Sequence, residues 1–254
     1  MEHALVTQGL TRAFGGFIAV DGIDLAVPKG SLYGFLGPNG AGKSTTIKCL
    51  TGLLRPTAGS MTILGLDPGA EPEKVKRLVG VMPEDLALFE HLSAAETLAF
   101  VGQVHGMDRA TLKSRSEELL ALMDLTPASG QLIADYSHGM KKKTSLAAAL
   151  LPAPKLLFLD EPFEGIDAIA SRQIKDLLLG YVMHGGTVFL TSHVLEVVER
   201  LCDHIGVIHK GRLVAQAPLA ELRAGTSGGS LESMFLELVG ATGGATRRLD
   251  WLGG

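Results

Sequence analysis

The chain has 254 residues, of which 46% are hydrophobic and 20% charged, a globular composition that can bury a substantial core and is not that of a disordered or fibrous protein. Lys and Arg total 23 against 27 Asp and Glu, a formal net charge of −4, which argues against a protein that wraps nucleic acid. The two cysteines, Cys49 and Cys202, are far apart and lack metal-ligand spacing, so neither a disulfide scaffold nor a cysteine zinc site is expected, and a reducing compartment is.

In chain order, the N-terminus has no basic start and no continuous apolar run of the secretory kind. Leu5 to Gly9 and Phe17 to Val27 alternate as half-exposed antiparallel strands do. Short apolar runs at Leu32 to Leu36, Val79 to Met82, Leu156 to Asp160, Thr187 to Thr191 and Ile205 to Ile208 read as buried strands with helical patterns between them, the alternation of an α/β sheet. From Leu92 to Leu151 the pattern is helix after helix, and the stretch of about residues 86–152 is expected to form a helical subdomain inserted in an α/β unit spanning residues 1–224. The most apolar segment, Ser145 to Leu159, is interrupted by Pro152, Pro154 and Lys155 and falls short of the roughly 20 apolar residues that cross a bilayer. A C-terminal tail, 225–254, is expected to hold a flexible break at Gly225 to Gly229, one amphipathic helix at Leu231 to Val239, and a mobile glycine-rich end.

Chemistry concentrates at two places. Gly37, Pro38, Asn39, Gly40, Ala41, Gly42, Lys43, Ser44 and Thr45 fit G-x-x-x-x-G-K-[ST] between a strand and a helix, the context that motif needs. Glycines let consecutive backbone N–H groups turn onto phosphate oxygens, and the following helix presents its positive end to them. Lys43 is then expected to reach the β- and γ-phosphates and Ser44 to offer a hydroxyl to Mg²⁺. The run Leu156 to Pro162 delivers Asp160 and Glu161 at the C-terminal edge of a strand, where α/β folds bind ligands. Asp160 suits the Mg²⁺ shell, and Glu161 suits orienting or deprotonating the attacking water.

Together these residues resemble the ATP-binding-cassette (ABC) ATPases over nearly the whole chain to about Leu222. The resemblance implies ATP and Mg²⁺ as cofactors. It also implies a P-loop NTPase fold: an α/β protein with a RecA-like core sheet, an N-terminal antiparallel β subdomain and an inserted helical subdomain. Tyr136-Ser137-His138-Gly139-Met140 looks like a variant of the family signature LSGGQ, matching at Ser137 and Gly139. In the family those two close over nucleotide held by a second subunit. Lys141, Lys142 and Lys143 follow, readable as a response to phosphate or as a solvated basic face. Phe14 resembles the aromatic residue stacked on adenine, against the plain reading of a core phenylalanine. Glu84 stands where the family usually has a glutamine contacting Mg²⁺. Gly165-Ile166-Asp167 resembles the loop that crosses the dimer interface, with a helix N-cap at Asp167 as the local alternative. His193 resembles the switch histidine at the γ-phosphate.

The resemblance therefore implies ATP hydrolysis by the catalytic set Glu161, His193 and Lys43. The chain is expected to be the ATPase subunit of an exporter of the ABC-2 kind, working with a separate transmembrane permease and a second cassette, identical or different, at the inner face of the cell membrane. The groove near Glu84 to Phe89 is the expected permease contact. A soluble ABC ATPase acting as an assembly or scaffold factor keeps every nucleotide residue and is the alternative. A small-molecule P-loop kinase is disfavoured by the signature-like segment and His193.

Overall fold

The computed structural model describes residues 2–224 and 231–240. The expected break at 225–229 and the glycine-rich end lie outside the described residues.

The N-terminal strands β1 (His3–Phe14), β2 (Phe17–Ile23), β3 (Ala26–Pro28) and β5 (Ala58–Ile63) form an antiparallel sheet in which β1 pairs with the other three. The single run read at Phe17 to Val27 is two strands on different parts of β1. Gly22, at φ +62°, lies one residue before the end of the first, and Leu25 is buried between them. Strand β5 carries Ala58, Gly59 and Ser60 exposed, which leaves little apolar alternation to read.

The second sheet has the order β10-β9-β4-β8-β7-β6, from β4 (Leu32–Leu36), β6 (Val79–Met82), β7 (Leu156–Leu159), β8 (Thr187–Ser192), β9 (His204–His209) and β10 (Arg212–Pro218). All neighbours are parallel except the antiparallel edge β10 on β9. Strands β4, β7 and β8 are buried along their whole length, as expected of a parallel sheet covered on both faces. Alternation sends their side chains to two cores. Tyr33, Phe35, Phe158 and Phe189 point to one face, with the ring centroids of the first three each 5.3–5.8 Å from that of Phe189, and pack with α1 (Lys43–Leu50) and β1. Leu36, Leu157, Leu159 and Leu190 point to the other, under α6 (Ala168–Met183) and α7 (Leu195–Leu201).

Between β6 and β7 come α3 (Ala94–Val104), α4 (Arg109–Leu122) and α5 (His138–Leu150), while α2 (Pro72–Leu78) precedes β6. Helix α3 starts at a capping box, with Ser93 and Glu96 each satisfying the other's backbone N–H. Helices α8 (Leu219–Ala224) and α9 (Leu231–Leu238) follow β10, and Leu231 and Met234 of α9 join the core shared with α7. Both cysteines are free and buried, Cys49 in one core and Cys202 in the other.

Candidate active site

Because β4, β8 and β7 are adjacent and parallel, the loops leaving their C-terminal ends meet. The β4 loop turns sharply into α1. At Gly42, φ is +110°, and a Cβ there would lie 2.5 Å from the Ala19 carbonyl oxygen; at Gly37 it would lie 2.5 Å from that of Ile208. Glycine is thus required at both ends of the loop by conformation or by packing. Lys43, the first residue of α1, is 6% exposed and folds back so that its Nζ donates to the Gly37 carbonyl at 2.8 Å.

Ser44 faces two carboxylates. Its Oγ lies 3.2 Å from Glu84 Oε2, beyond the end of β6, and 3.4 Å from Asp160 Oδ1, at the end of β7. Asp160 is buried and accepts a 2.6 Å hydrogen bond from Thr191 Oγ1 on β8. Burial raises its pKa from the ordinary aspartate value, partly offset by the Thr191 and Ser44 hydroxyls and reinforced by the nearby Glu84 and Glu161. These are hard oxygen donors, and among the described residues no group of three or more His, Cys, Asp and Glu forms a metal cage. That donor set fits Mg²⁺, which takes one or two carboxylates and completes its shell with waters and substrate phosphates.

Glu161 is buried and sits between two nitrogens. Its Oε1 is 3.3 Å from Lys43 Nζ and its Oε2 is 3.1 Å from Nδ1 of His193, just beyond β8. Its backbone is left-handed, at φ +48°, an uncommon conformation for a side-chain-bearing residue. Lys43, Ser44, Glu84, Glu161 and His193 line one cleft of about 420 Å³ with the loop residues Asn39, Gly40 and Thr45. A larger and mainly apolar cavity, about 1150 Å³, opens near Lys29, Lys155 and Thr187, at the opposite ends of the same strands. It holds none of these groups, and the chemistry assigns the site to the smaller cleft.

Gly37, Pro38 and Ala41 of the loop and Asp160 are not among the residues that line the cleft, and neither are Phe14, Ser137 and Gly139. Phe14 is 44% exposed rather than a core residue, with the Arg12 guanidinium carbon 4.4 Å from its ring centroid. The aromatic wall of the cleft is Phe17, 65% exposed, which the sequence presents only as the first residue of an alternating strand. Ser137 is the N-cap of α5, its Oγ accepting from the Met140 N–H, and Gly139 is in the first turn. The departures from LSGGQ have structural places. Tyr136 is buried and donates from its hydroxyl to the Ala128 carbonyl at 2.6 Å, Met140 packs on the core, and the His138 ring rests on Gly165, where a Cβ would meet it at 3.1 Å.

The three lysines are neither a solvated face nor a phosphate cradle. Lys141 pairs with Glu90 at 2.7 Å, Lys142 is buried with its Nζ donating to the Glu161 carbonyl, and Lys143 donates to Gln173 Oε1 at 3.0 Å. Asp167 does cap α6, its Oδ1 accepting from the Ile169 and Ala170 N–H groups.

The family described as ABC transporter matches residues 20–164. The daunorubicin/doxorubicin resistance ATP-binding protein DrrA of Streptomyces peucetius is 40% identical over 222 residues, 87% of this chain and 67% of that one. The bacitracin transport ATP-binding protein BcrA of Bacillus licheniformis is 35% identical over 224 residues, 88% of this chain and 72% of its own. A solved structure of the ATP-binding subunit of an ABC transporter superimposes with a TM-score of 0.86 at 31% identity, covering 92% of this chain and 99% of that one.

Proposed function

This chain belongs to the ABC transporter family as an ATP-binding subunit that hydrolyses ATP to drive transport, and from that premise we propose that it powers export through a separate transmembrane permease. Among the described residues no helix is long and apolar enough to cross a membrane; in this reading the substrate path lies in the partner. Names such as daunorubicin resistance and bacitracin transport favour the outward direction. In this reading the subunit is peripheral on the inner face of the membrane, residues 1–224 with the helices of about 86–152 form the ATPase unit, and 225–254 are an appendage.

The observation that carries the chemistry is Glu161 held between Lys43 and His193 at the mouth of the glycine loop. The Gly37 to Thr45 amides, the N-terminal end of α1 and Lys43 bind the β- and γ-phosphates. Ser44, Asp160 and Glu84 hold Mg²⁺, which neutralises charge on phosphate oxygens when bound. Glu161 orients the attacking water and takes its proton, while His193 holds the γ-phosphate side of the site. Phe14 stacks on the base. Ser137 and Gly139 complete the site of a second cassette, identical or different, because an N-capping serine and a helix start suit an anion. The permease helix docks beside Glu84 to Phe89, where Phe89 and Phe100 are 55% and 46% exposed and meet edge-on at 5.5 Å, more apolar surface than a solvated helix needs.

The test is a mild-detergent pull-down of the tagged chain from its native membranes, with mass spectrometry of what co-purifies. A stoichiometric multi-span protein is expected. Recovery of soluble proteins alone, with the chain in the soluble fraction, would overturn the permease partnership.

A further inference from the structure

The cation that the chemistry above leaves unused is Lys142. It is 2% exposed, and among the described residues no carboxylate lies within ion-pair distance of it. Burial lowers its pKa, and Glu164, Glu161, Glu84 and Asp160 oppose that shift from farther away. A methionine of similar length would fill the space without the desolvation cost, so packing alone does not account for an ammonium here.

Its Nζ donates to one acceptor, the backbone carbonyl of Glu161. On the other side of the same residue, the Glu161 N–H donates to Thr191 Oγ1 at 2.9 Å, and that hydroxyl is itself anchored on Asp160. The main chain of Glu161 is thereby gripped at both its N–H and its C=O. It needs to be, because it is held at φ +48°, a strained region that persists only where surroundings over-determine it. That conformation aims the carboxylate between Lys43 and His193.

Helix α5 touches the Glu161 to Asp167 segment at further points. The His138 ring lies at Gly165, where a Cβ would meet it at 3.1 Å, a Cβ added at Gly139 would lie 3.7 Å from Ala170 Cβ and 4.0 Å from Ile166 Cγ2, and Lys143 donates to Gln173 Oε1 of α6. Lys142 is one turn below Gly139 on that helix. The base of this chain's own site is thus fastened to the helix whose first turn is offered to the other cassette.

We propose that Lys142 is a positioning residue for ATP hydrolysis: its ammonium holds the Glu161 carbonyl so that the carboxylate stays aimed at the water, and it ties that aim to the placement of the Ser137–Gly139 turn. The inference rests on Glu161 being the base. It requires a donor at this position, and it predicts a defect in turnover rather than in nucleotide binding, since Lys142 does not line the cleft.

The experiment measures steady-state ATPase kinetics, equilibrium ATP affinity and melting temperature on the full chain for wild type, Lys142→Met and Lys142→Arg. Expected for Lys142→Met is a fall in kcat of at least tenfold with KM and ATP affinity within twofold and no loss of melting temperature. Lys142→Arg, which keeps a cationic donor, recovers most of kcat. A Lys142→Met enzyme with wild-type kcat overturns the proposal, as does a parallel loss of affinity, kcat and melting temperature in both variants. Glu161→Gln separates the two readings. If it turns over at the wild-type rate, the assignment of the base fails; if it is dead while Lys142→Met is fully active, only the role of Lys142 fails.

Discussion

Lys43 and Glu161 form a buried ion pair, Nζ to Oε1 at 3.3 Å with both side chains 6% exposed. The lysine assigned to phosphate and the carboxylate assigned to water are each other's counter-charge, so a γ-phosphate competes with Glu161 for the same ammonium. Lys43→Ala is expected to abolish measurable ATP binding and also to lower stability, because it leaves a buried carboxylate facing only His193. Losing one partner of a buried pair costs about 3–5 kcal/mol, and the lower end applies where another nitrogen remains 3.1 Å away. Thermal melting and equilibrium nucleotide binding check both halves.

Glu161→Gln removes the negative charge and keeps the shape. The amide can still accept near Lys43, so ATP binds, while the proton acceptor is gone. Turnover should fall by about 10²–10⁴-fold, the range for losing a general base. Hydrolysis being stopped, ATP should accumulate the closed pair of cassettes. Light scattering of the variant with and without ATP reads this, and a strictly monomeric result would contradict the two-cassette site.

Asp160 carries a cost that the proposed Mg²⁺ role accounts for. Its pKa is raised chiefly by burial, so the ionised form is disfavoured in the folded protein. The sign follows from proton binding: between the ordinary aspartate pKa and the raised one the folded state binds more protons than the unfolded state, and stability falls as pH rises through that window. Asp160→Asn removes the penalty and keeps an oxygen to accept from Thr191. The variant should therefore melt above wild type at neutral pH, the difference vanishing below the ordinary aspartate range, while its ATPase activity falls by about 10²-fold or more with the loss of a metal-holding carboxylate. Melting curves at pH 3.5, 5 and 7 test this; a variant less stable than wild type at pH 7 would refute it.

The site was legible where one local rule decides a position. Strand β4 and the Gly37 to Thr45 loop are an apolar run followed by glycines that the turn demands, and β7 is four apolar residues ending in two acids; both fall where read. Strand β10 went unread because its partly exposed alternation, Leu213 and Ala215 against Val214 and Gln216, is shallow beside the buried runs. Lys142 shows a subtler gap. It lies three residues after Gly139 and four before Leu146, on the buried stripe of α5, so helical spacing marked it as inward-facing. Its charge suggested solvent or phosphate, and only the position of the Glu161 carbonyl, set by the packing of β7 against β6 and β8, shows what the ammonium meets.

Phe17 poses the last question, that of base recognition. Family resemblance nominates Phe14, one face of which is covered by Arg12, whereas Phe17 stands on the wall of the cleft beside Ala19 and Gly40. A β-hairpin connects the two, since Phe14 and Phe17 are paired across β1 and β2, which puts both at the same end of that hairpin. Aromatic stacking contributes about 0.5–1.5 kcal/mol beyond area burial. Phe14→Ala and Phe17→Ala should each raise KM for ATP by about 2–10-fold with kcat retained, because the phosphate contacts come from the loop backbone and Lys43. The two effects should also be non-additive, as expected of groups sharing one ligand surface. A double variant whose KM equals the product of the single effects would mean that the rings act apart, and an unchanged KM at Phe17 would leave the base to Phe14 alone.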